Sequence, residues 1–282
     1  MANSKKNIVG IDIGGTKVEG ILWRAGKIVA HEKYKTPQTR AKFLSELAKL
    51  ITALSAGGKI AGIGIGVAGI LNSEKGIVID SIHMPFLNGF NLAVFLKQRF
   101  RAPVKIDNDA RCFLLGELRF GASRGKQNVV ALTLGTGLGG AVLDHGRIIR
   151  GAHDAAQLTG LILSEKNGEF LNFQDLVSEH GFKRLGIKDP LEYQNRAFAG
   201  DKRAKKIYDL IGKNLGIGCS IIARVFDPEL IVIGGGIARA GELLLAPAKK
   251  EMSRRLKNAK QPEIKISKLK NAALLGAVGM FL

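Results

Sequence analysis

Shifted by 121 positions, the sequence lays one half of itself on the other. Asn7-Ile8-Val9-Gly10-Ile11-Asp12-Ile13-Gly14 falls on Asn128-Val129-Val130-Ala131-Leu132-Thr133-Leu134-Gly135, and Ile21-Leu22 falls on Val142-Leu143. With one residue of slip, Gly26-Lys27-Ile28-Val29 falls on Gly146-Arg147-Ile148-Ile149. Each half therefore opens with a β-rich run, a Gly/Thr turn, a second run, and a Gly turn into a third. Short apolar strands recur by chance in many folds, but here the turns align as well as the strands, which favours a duplicated β-meander.

Helical patterns follow each meander. Residues 39–54 place Phe43, Leu44, Leu47, Leu50, Ile51 and Leu54 on one stripe. A buried strand is expected at 60–68, then a loop-rich stretch, a helix at 91–100, a strand at 103–106 and a helix from 109 to 120. The second half reads as an irregular polar stretch at 151–200 and a long helix at 204–226. Strand Leu230-Ile231-Val232-Ile233 then ends in Gly234-Gly235-Gly236. A helix at 238–258, a strand near 263–266 and a last helix at 271–281 close the chain. Strands alternating with helices make this an α/β protein, and the two echoed meanders predict two lobes with a ligand cleft between them.

Glycine is in excess, 36 residues of 282 against only 7 Pro, which suggests close backbone approaches rather than a flexible linker. The net charge of +19 is spread along the chain, +11 over residues 183–270 and +8 over the rest. No basic block or tail stands out, so no specific nucleic-acid partner is expected. The two cysteines, Cys112 and Cys219, are too few for a disulfide framework or a cysteine-based zinc site. The first residues carry no long apolar segment and no run approaches a membrane span, so a cytoplasmic setting without membrane is expected.

Three glycine clusters each follow a β run: Gly14-Gly15-Thr16-Lys17, Gly135-Thr136-Gly137 and Gly234-Gly235-Gly236. Glycine there lets backbone N–H groups approach an anion that a Cβ would hold off, and Thr16, Thr136 and Lys17 add a hydroxyl or a charge. Two such turns in equivalent places suit one polyphosphate, and the third suits a base and ribose. A P-loop is excluded because no Gly-x-x-x-x-Gly-Lys-Ser/Thr occurs. A dinucleotide fingerprint is disfavoured because Gly135–Gly140 leads into another strand rather than a helix. Asp12, ending the first strand, either holds Mg²⁺ against phosphates or caps the turn. In Asp107-Asn108-Asp109, one residue caps the following helix or Asp109 serves as a base toward a hydroxyl.

In that order these motifs resemble the ROK sugar kinases, which share the two-lobed actin-like ATPase (ribonuclease H-like) fold. Asp12-Ile13-Gly14-Gly15-Thr16-Lys17 is similar to the family's first phosphate motif, and Ile65-Gly66-Val67-Ala68-Gly69 to its Gly-Val-Pro-Gly loop with Ala68 for Pro. Asn108-Asp109-Ala110 matches its Asn-Asp-Ala signature, while Gly116-Glu117, Gly121-Ala122 and Leu134–Gly140 continue the series. Arg150-Gly151-Ala152 and Ile233–Gly236 complete it. The resemblance implies ATP-dependent phosphorylation of a sugar hydroxyl, with Mg²⁺ near Asp12, Asp109 as general base, and Asn108 and Gly69 toward the sugar. It further implies a homodimer, and lobes formed by 1–108 plus 271–282 and by 109–270.

Several positions depart from the family. Leu158 and Leu161 stand where a sugar-gripping Glu and His are usual, and Phe86 stands where a sugar-contacting Asn is usual. Asp175 is the candidate for a further sugar-side carboxylate. Residues 163–178 contain no Cys, so the structural zinc of many members is expected to be absent. Apolar residues at hydroxyl-reading positions suit an N-acylated, deoxy or anhydro sugar. The alternative is a catalytically weakened homologue that acts as a sugar- or nucleotide-responsive regulator.

Overall fold

The computed structural model describes residues 6–166, 168–257 and 259–282. In chain order, β1 (Asn7–Ile13), β2 (Lys17–Arg24), β3 (Lys27–Lys35), α1 (Arg40–Ser55) and β4 (Ile60–Val67) come first. A hairpin of β5 (Ile70–Asn72) and β6 (Ile77–Asp80) follows, then α2 (Leu92–Phe100), β7 (Val104–Asn108) and α3 (Asp109–Phe120). The second meander is β8 (Val129–Leu134), β9 (Leu138–Asp144) and β10 (Arg147–Ile148), followed by a hairpin of β11 (Ile162–Lys166) and β12 (Glu169–Asn172). Next are α4 (Phe173–Val177), α5 (Glu179–Arg184), α6 (Pro190–Phe198), α7 (Lys202–Phe226) and β13 (Leu230–Gly234). The chain closes with α8 (Glu242–Leu256), β14 (Glu263–Ile266) and α9 (Ala272–Gly279).

Two compact units result. The first takes the chain through Arg124, with Arg150–Ala156 and Leu269–Leu282; the second takes Gly125–Ile149 and Gln157–Lys268. Each has a five-stranded sheet of the same design, β3-β2-β1-β4-β7 in one and β10-β9-β8-β13-β14 in the other. In both, the meander pairs antiparallel and the last two strands add in parallel. The duplication read from the sequence is thus a duplicated sheet topology, and the α/β class holds.

The register corrects one detail of the sequence overlay. Gly10 pairs with Ile21 while its counterpart Ala131 pairs with Ala141, so Ile21-Leu22 correspond to Ala141-Val142 rather than to Val142-Leu143. The slip falls in the first turn, which spans four residues (Gly14–Lys17) in one unit and three (Gly135–Gly137) in the other.

The expected division at 108/109 shifts to 124/125, because α3 packs with the first unit. Glycine makes this seat. A Cβ on Gly116 would lie 2.0 Å from the Ala272 carbonyl oxygen, and one on Gly276 would lie 1.7 Å from that of Cys112, so α3 and α9 meet backbone to backbone. On the sheet beneath, a Cβ at Gly10, Gly62 or Gly64 would strike α9 or Phe281 just after it. Much of the glycine excess therefore removes side chains between two helices and one sheet face.

The stretch at 151–200, expected to be irregular, contains the β11–β12 hairpin and α4–α6. Asn172, Ser178 and Asp189 cap its three helices, the longest of which has 9 residues, too few for a period to emerge. The helix expected at 238–258 begins at Glu242; Gly234-Gly235-Gly236 instead leads into a 3-10 turn, Ile237–Ala240. Among the described residues no helix is long and apolar enough to cross a membrane.

Candidate functional site

Strands β1, β4 and β7 run parallel and end at one edge of the first sheet, the place where open α/β sheets bind ligands. Their register pairs Asp12 with Gly66 and Gly66 with Asp107, so both aspartates share the sheet face on which α3 lies. Gly66 is bare for a reason: a Cβ there would be 3.3 Å from Cys112 Sγ and 3.5 Å from Asp109 Cα. The first turn of α3, carrying Asp109, thereby seats directly above the strand ends.

Asn108 is the N-cap of α3, its Oδ1 accepting from the Ala110 and Arg111 amides at 3.0 and 3.3 Å. Its Nδ2 donates to the Gly69 carbonyl at 3.2 Å and to Asp109 Oδ1 at 3.0 Å. Capping belongs to Asn108 rather than Asp107, and Asp109 is the first helical residue. Burial pushes the Asp109 carboxyl up, while the Ala110 amide, its own amide, the Asn108 side chain and the Arg111 charge hold it down. The Asp12 carboxyl is pushed up to about 7, first by burial, then by Asp109 and Glu19, with Lys17 opposing. Amide donors to a capping carboxylate would act in the reverse direction, so Asp12 does not behave as a turn cap.

The first glycine turn closes with the Gly14 amide donating to the Lys17 carbonyl at 3.0 Å. Thr36 braces it, Oγ1 donating to the Gly14 carbonyl at 2.6 Å and its amide to the Thr16 carbonyl at 3.1 Å. A Cβ on Gly15 would lie 2.4 Å from His83 Cβ, so the loop after β6 rests on this turn. Thr16 and Lys17 are exposed, and Lys17 pairs with Glu19 at 2.7 Å.

Within the second unit, the Gly135 amide donates to the Gly137 carbonyl at 3.0 Å, with Thr136 at the tip. Gln174 of α4 accepts from the Leu138 amide at 3.1 Å, and the Glu179 amide donates to the Gly135 carbonyl at 3.0 Å. The third cluster lies beside the second: Gly234 pairs with Thr133, and Gly235, at φ +93°, leaves its missing Cβ 2.2 Å from the Leu134 carbonyl oxygen. Gly236 begins the 3-10 turn.

Three sequence candidates also have structural partners. Leu158 is buried in the core of the second unit, 2.9 Å from where a Cβ on Gly140 would be. Phe86 packs its ring 5.6 Å from that of Phe43 in the first unit's core. Asp175 and Asn172 form a reciprocal capping box at the start of α4. Conversely, sequence reasoning missed Thr36, His83 and Gln174, and it missed a cluster in the first unit of Asp107, Arg111, Arg150, Asp154 and Ser73. The four-residue spacing of Asp107 to Arg111 and of Arg150 to Asp154 was the only signal available for it.

Among the described residues no group of three or more His, Cys, Asp or Glu could hold a metal ion. For a hard divalent cation shared with phosphates, one desolvated carboxylate suffices as the protein's share, and Asp12 fits, since a nearby cation would relieve the charge that burial and Asp109 disfavour.

The glucokinase of Thermotoga maritima is 31% identical over 277 residues, covering 88% of this chain and 87% of its own length. The N-acetyl-D-glucosamine kinase of Pectobacterium atrosepticum is 30% identical, covering 90% and 92%. A ROK family glucokinase from Streptomyces griseus, crystallised with glucose and AMPPNP, superposes with a TM-score of 0.86 at 26% identity over 97% of this chain and 98% of that one. The ROK family model matches residues 8–282. With the duplicated sheet, the three glycine turns and Asn108-Asp109 at the strand ends, the chain belongs to the ROK family.

Proposed function

We propose that the chain is an ATP-dependent sugar kinase with Asp109 as its general base. The observation that carries this is a half-buried carboxyl, raised by desolvation, on the first turn of α3 at the carboxyl ends of three parallel strands and freed from capping by Asn108. Asp109 takes the proton of the acceptor hydroxyl as its oxygen bonds to the γ-phosphorus; the bond to the bridging oxygen breaks and ADP departs. Asn108 Nδ2, donating to Asp109 and to the Gly69 carbonyl, fixes the carboxyl and keeps one side of the acceptor in reach. Gly14, Gly15, Thr16 and Lys17 in the first unit and Gly135, Thr136 and Gly137 in the second are assigned to the phosphates. Gly234, Gly235 and Gly236 are assigned to the adenosine. Asp12 would hold Mg²⁺, which would supply neutralising charge for the phosphates.

The acceptor is assigned as a sugar poor in hydroxyls on one side, such as an N-acylated, deoxy or anhydro derivative. Leu158 packs into an apolar core where a carboxylate is usual, and losing that charged contact to a hydroxyl costs about 1.5–3 kcal/mol of recognition; Phe86, packed against the other core in place of a neutral Asn, adds about 0.5–1.5 kcal/mol. A cytoplasmic setting, where ATP is available, and a homodimer complete the proposal. A coupled ADP-release assay across glucose, hexosamines, N-acylated hexosamines and anhydro sugars tests it. Inactivity on every sugar with ATP still bound would overturn catalysis and leave the regulator as the surviving alternative.

A further inference from the structure

Beside Asp109 lies a polar cluster that the proposed chemistry does not use. Arg111 Nε donates to Asp107 Oδ1, while Arg150 donates to both Asp107 oxygens at 3.1 and 2.6 Å. Arg111 Nη2 reaches Asp154 Oδ1 at 2.7 Å. Ser73 donates its amide and its hydroxyl to Asp154 Oδ2 at 2.8 and 2.6 Å, and the Asn108 amide donates to Asp107 Oδ1 at 2.7 Å. The side chains of Asp107 and Arg111 are 7% and 4% exposed, so they pay nearly the full desolvation of ions. Buried ion pairs of this kind seldom stabilise a fold better than apolar residues of the same volume, so stability alone does not account for them. Two features show what else they do. Their charges cancel, two cations against two anions, and they grip both sides of the peptide link that carries Asp109: Asp107 before it on β7, Arg111 after it on α3.

Resting on the assignment of Asp109 as base, we infer that Asp107 and Arg111 are positioning residues for it. With Arg150, Asp154 and Ser73 they form a charge-balanced clamp that fixes the strand-to-helix junction and keeps a guanidinium from neutralising the base. Arg111 is two residues from Asp109, and its positive field favours the carboxylate. Left unopposed it would make Asp109 an ordinary, weakly basic carboxylate; drawn onto Asp107 and Asp154 it is largely spent. The other groups placed to act on Asp109 are the Ala110 amide, its own amide, the Asn108 side chain, Asp12 from β1 and Cys112 on α3.

Two substitutions that break the same ion pair separate electrostatic positioning from mere support. Arg111→Gln removes the cation and should raise the Asp109 titration by about 0.5–1 pH unit; Asp107→Asn releases the cation and should lower it by a similar amount. Asp109 is followed in the full chain by ¹³C carboxyl resonances of labelled Asp without added metal, its signal assigned by its loss in Asp109→Asn. The acid limb of turnover should move with it, kcat should fall roughly tenfold in both variants, and nucleotide KM should hold. Arg111→Lys, keeping the charge, should leave the titration in place and recover part of kcat. Shifts in the same direction, or none in either folded variant, would overturn the clamp. Should the single variants not fold, the double Asp107→Asn/Arg111→Gln decides: balance predicts a titration near the wild type, and a shift of a full unit refutes it. Wild-type turnover in Asp109→Asn would sink the base assignment alone, leaving the titration result to stand on its own.

Discussion

The first turn of each unit sits at the same point of the same sheet, yet the two are built differently. In the first unit the turn has four residues, ends in a lysine and follows a strand closing on Asp12. In the second it has three, carries no charge, and follows a strand with Thr133 at the matching place. The scaffold was copied, but the ionisable groups stand in one copy only. On the proposed assignment, phosphate-holding by backbone amides needs only the shared geometry, whereas cation-holding and proton removal need the carboxylates that one copy supplies. The supports differ too: Thr36 and the His83 loop brace the first turn, and Gln174 and Glu179 from α4–α5 brace the second.

Substitutions test this asymmetry. The largest effect is expected at Asp109. Asp109→Asn should lower turnover by about 10²–10⁴-fold with nucleotide affinity nearly unchanged, because the amides of the two turns remain. Melting temperature should hold or rise, since the lost carboxyl was disfavoured by burial. ADP release, nucleotide binding and thermal melting on this variant check all three, and near-normal turnover would remove Asp109 from the mechanism.

Alanine at one glycine of each turn comes next. Gly15→Ala forces its Cβ onto His83 Cβ and should cost about 1–3 kcal/mol. Gly135→Ala meets nothing within 4 Å and should stay within about 0.5 kcal/mol. Denaturant midpoints that moved equally would show that the two turns are braced alike.

The third test is pH. Asp12 rises from 3.8 to about 7 in the folded protein, so the fold binds the extra proton across that window. Its stability contribution is complete below the unfolded value, and is lost as pH rises through about 7. Asp12→Asn should therefore flatten this fall and raise the melting temperature at pH 8 by about 2–8 °C, with little change at pH 4. Thr133→Val, at the matching place in the other unit, should leave the pH profile unaltered.

The smallest effect is expected at Asp175. Asp175→Ala removes half of a capping box and should cost about 1 kcal/mol of stability with kcat/KM for sugar retained. A selective rise in sugar KM would restore the substrate role that its position in the sequence suggested.

How much of this was legible beforehand depended on length scale. The meanders, α1, α3 and α7 announce themselves by period and by turn residues, and Asp12, Asn108 and Asp109 by their place at strand ends. The elements at 151–200 were illegible because each is short and held by caps, which carry no periodic signal. The capping bond of Asp175 was illegible because a carboxylate is equally suited to a sugar hydroxyl and to a helix amide. The overlay misplaced the register by one residue because equal apolar strands match at either offset, and only the hydrogen-bonding ladder reveals which turn lost a residue. The Asp107 clamp escaped because Ser73 and Asp154 are 81 positions apart and meet only after folding.

The backbone contact between α3 and α9 has a consequence for the chain as it is made. A ribosome completes the strands that carry Asp12 and Asp107 long before it reaches Gly276, yet the seat of α3 needs that glycine against the Cys112 carbonyl. The second unit, apart from Arg150–Ala156, lies within one continuous stretch and can assemble as it emerges. The first must wait for Leu269–Leu282 before β1 and β4 are covered. Maturation therefore runs against the order of synthesis, and the unit begun first is finished last. A product lacking Leu269–Leu282 leaves the glycine-bare face of the sheet uncovered and α3, with Asp109 on its first turn, without its seat.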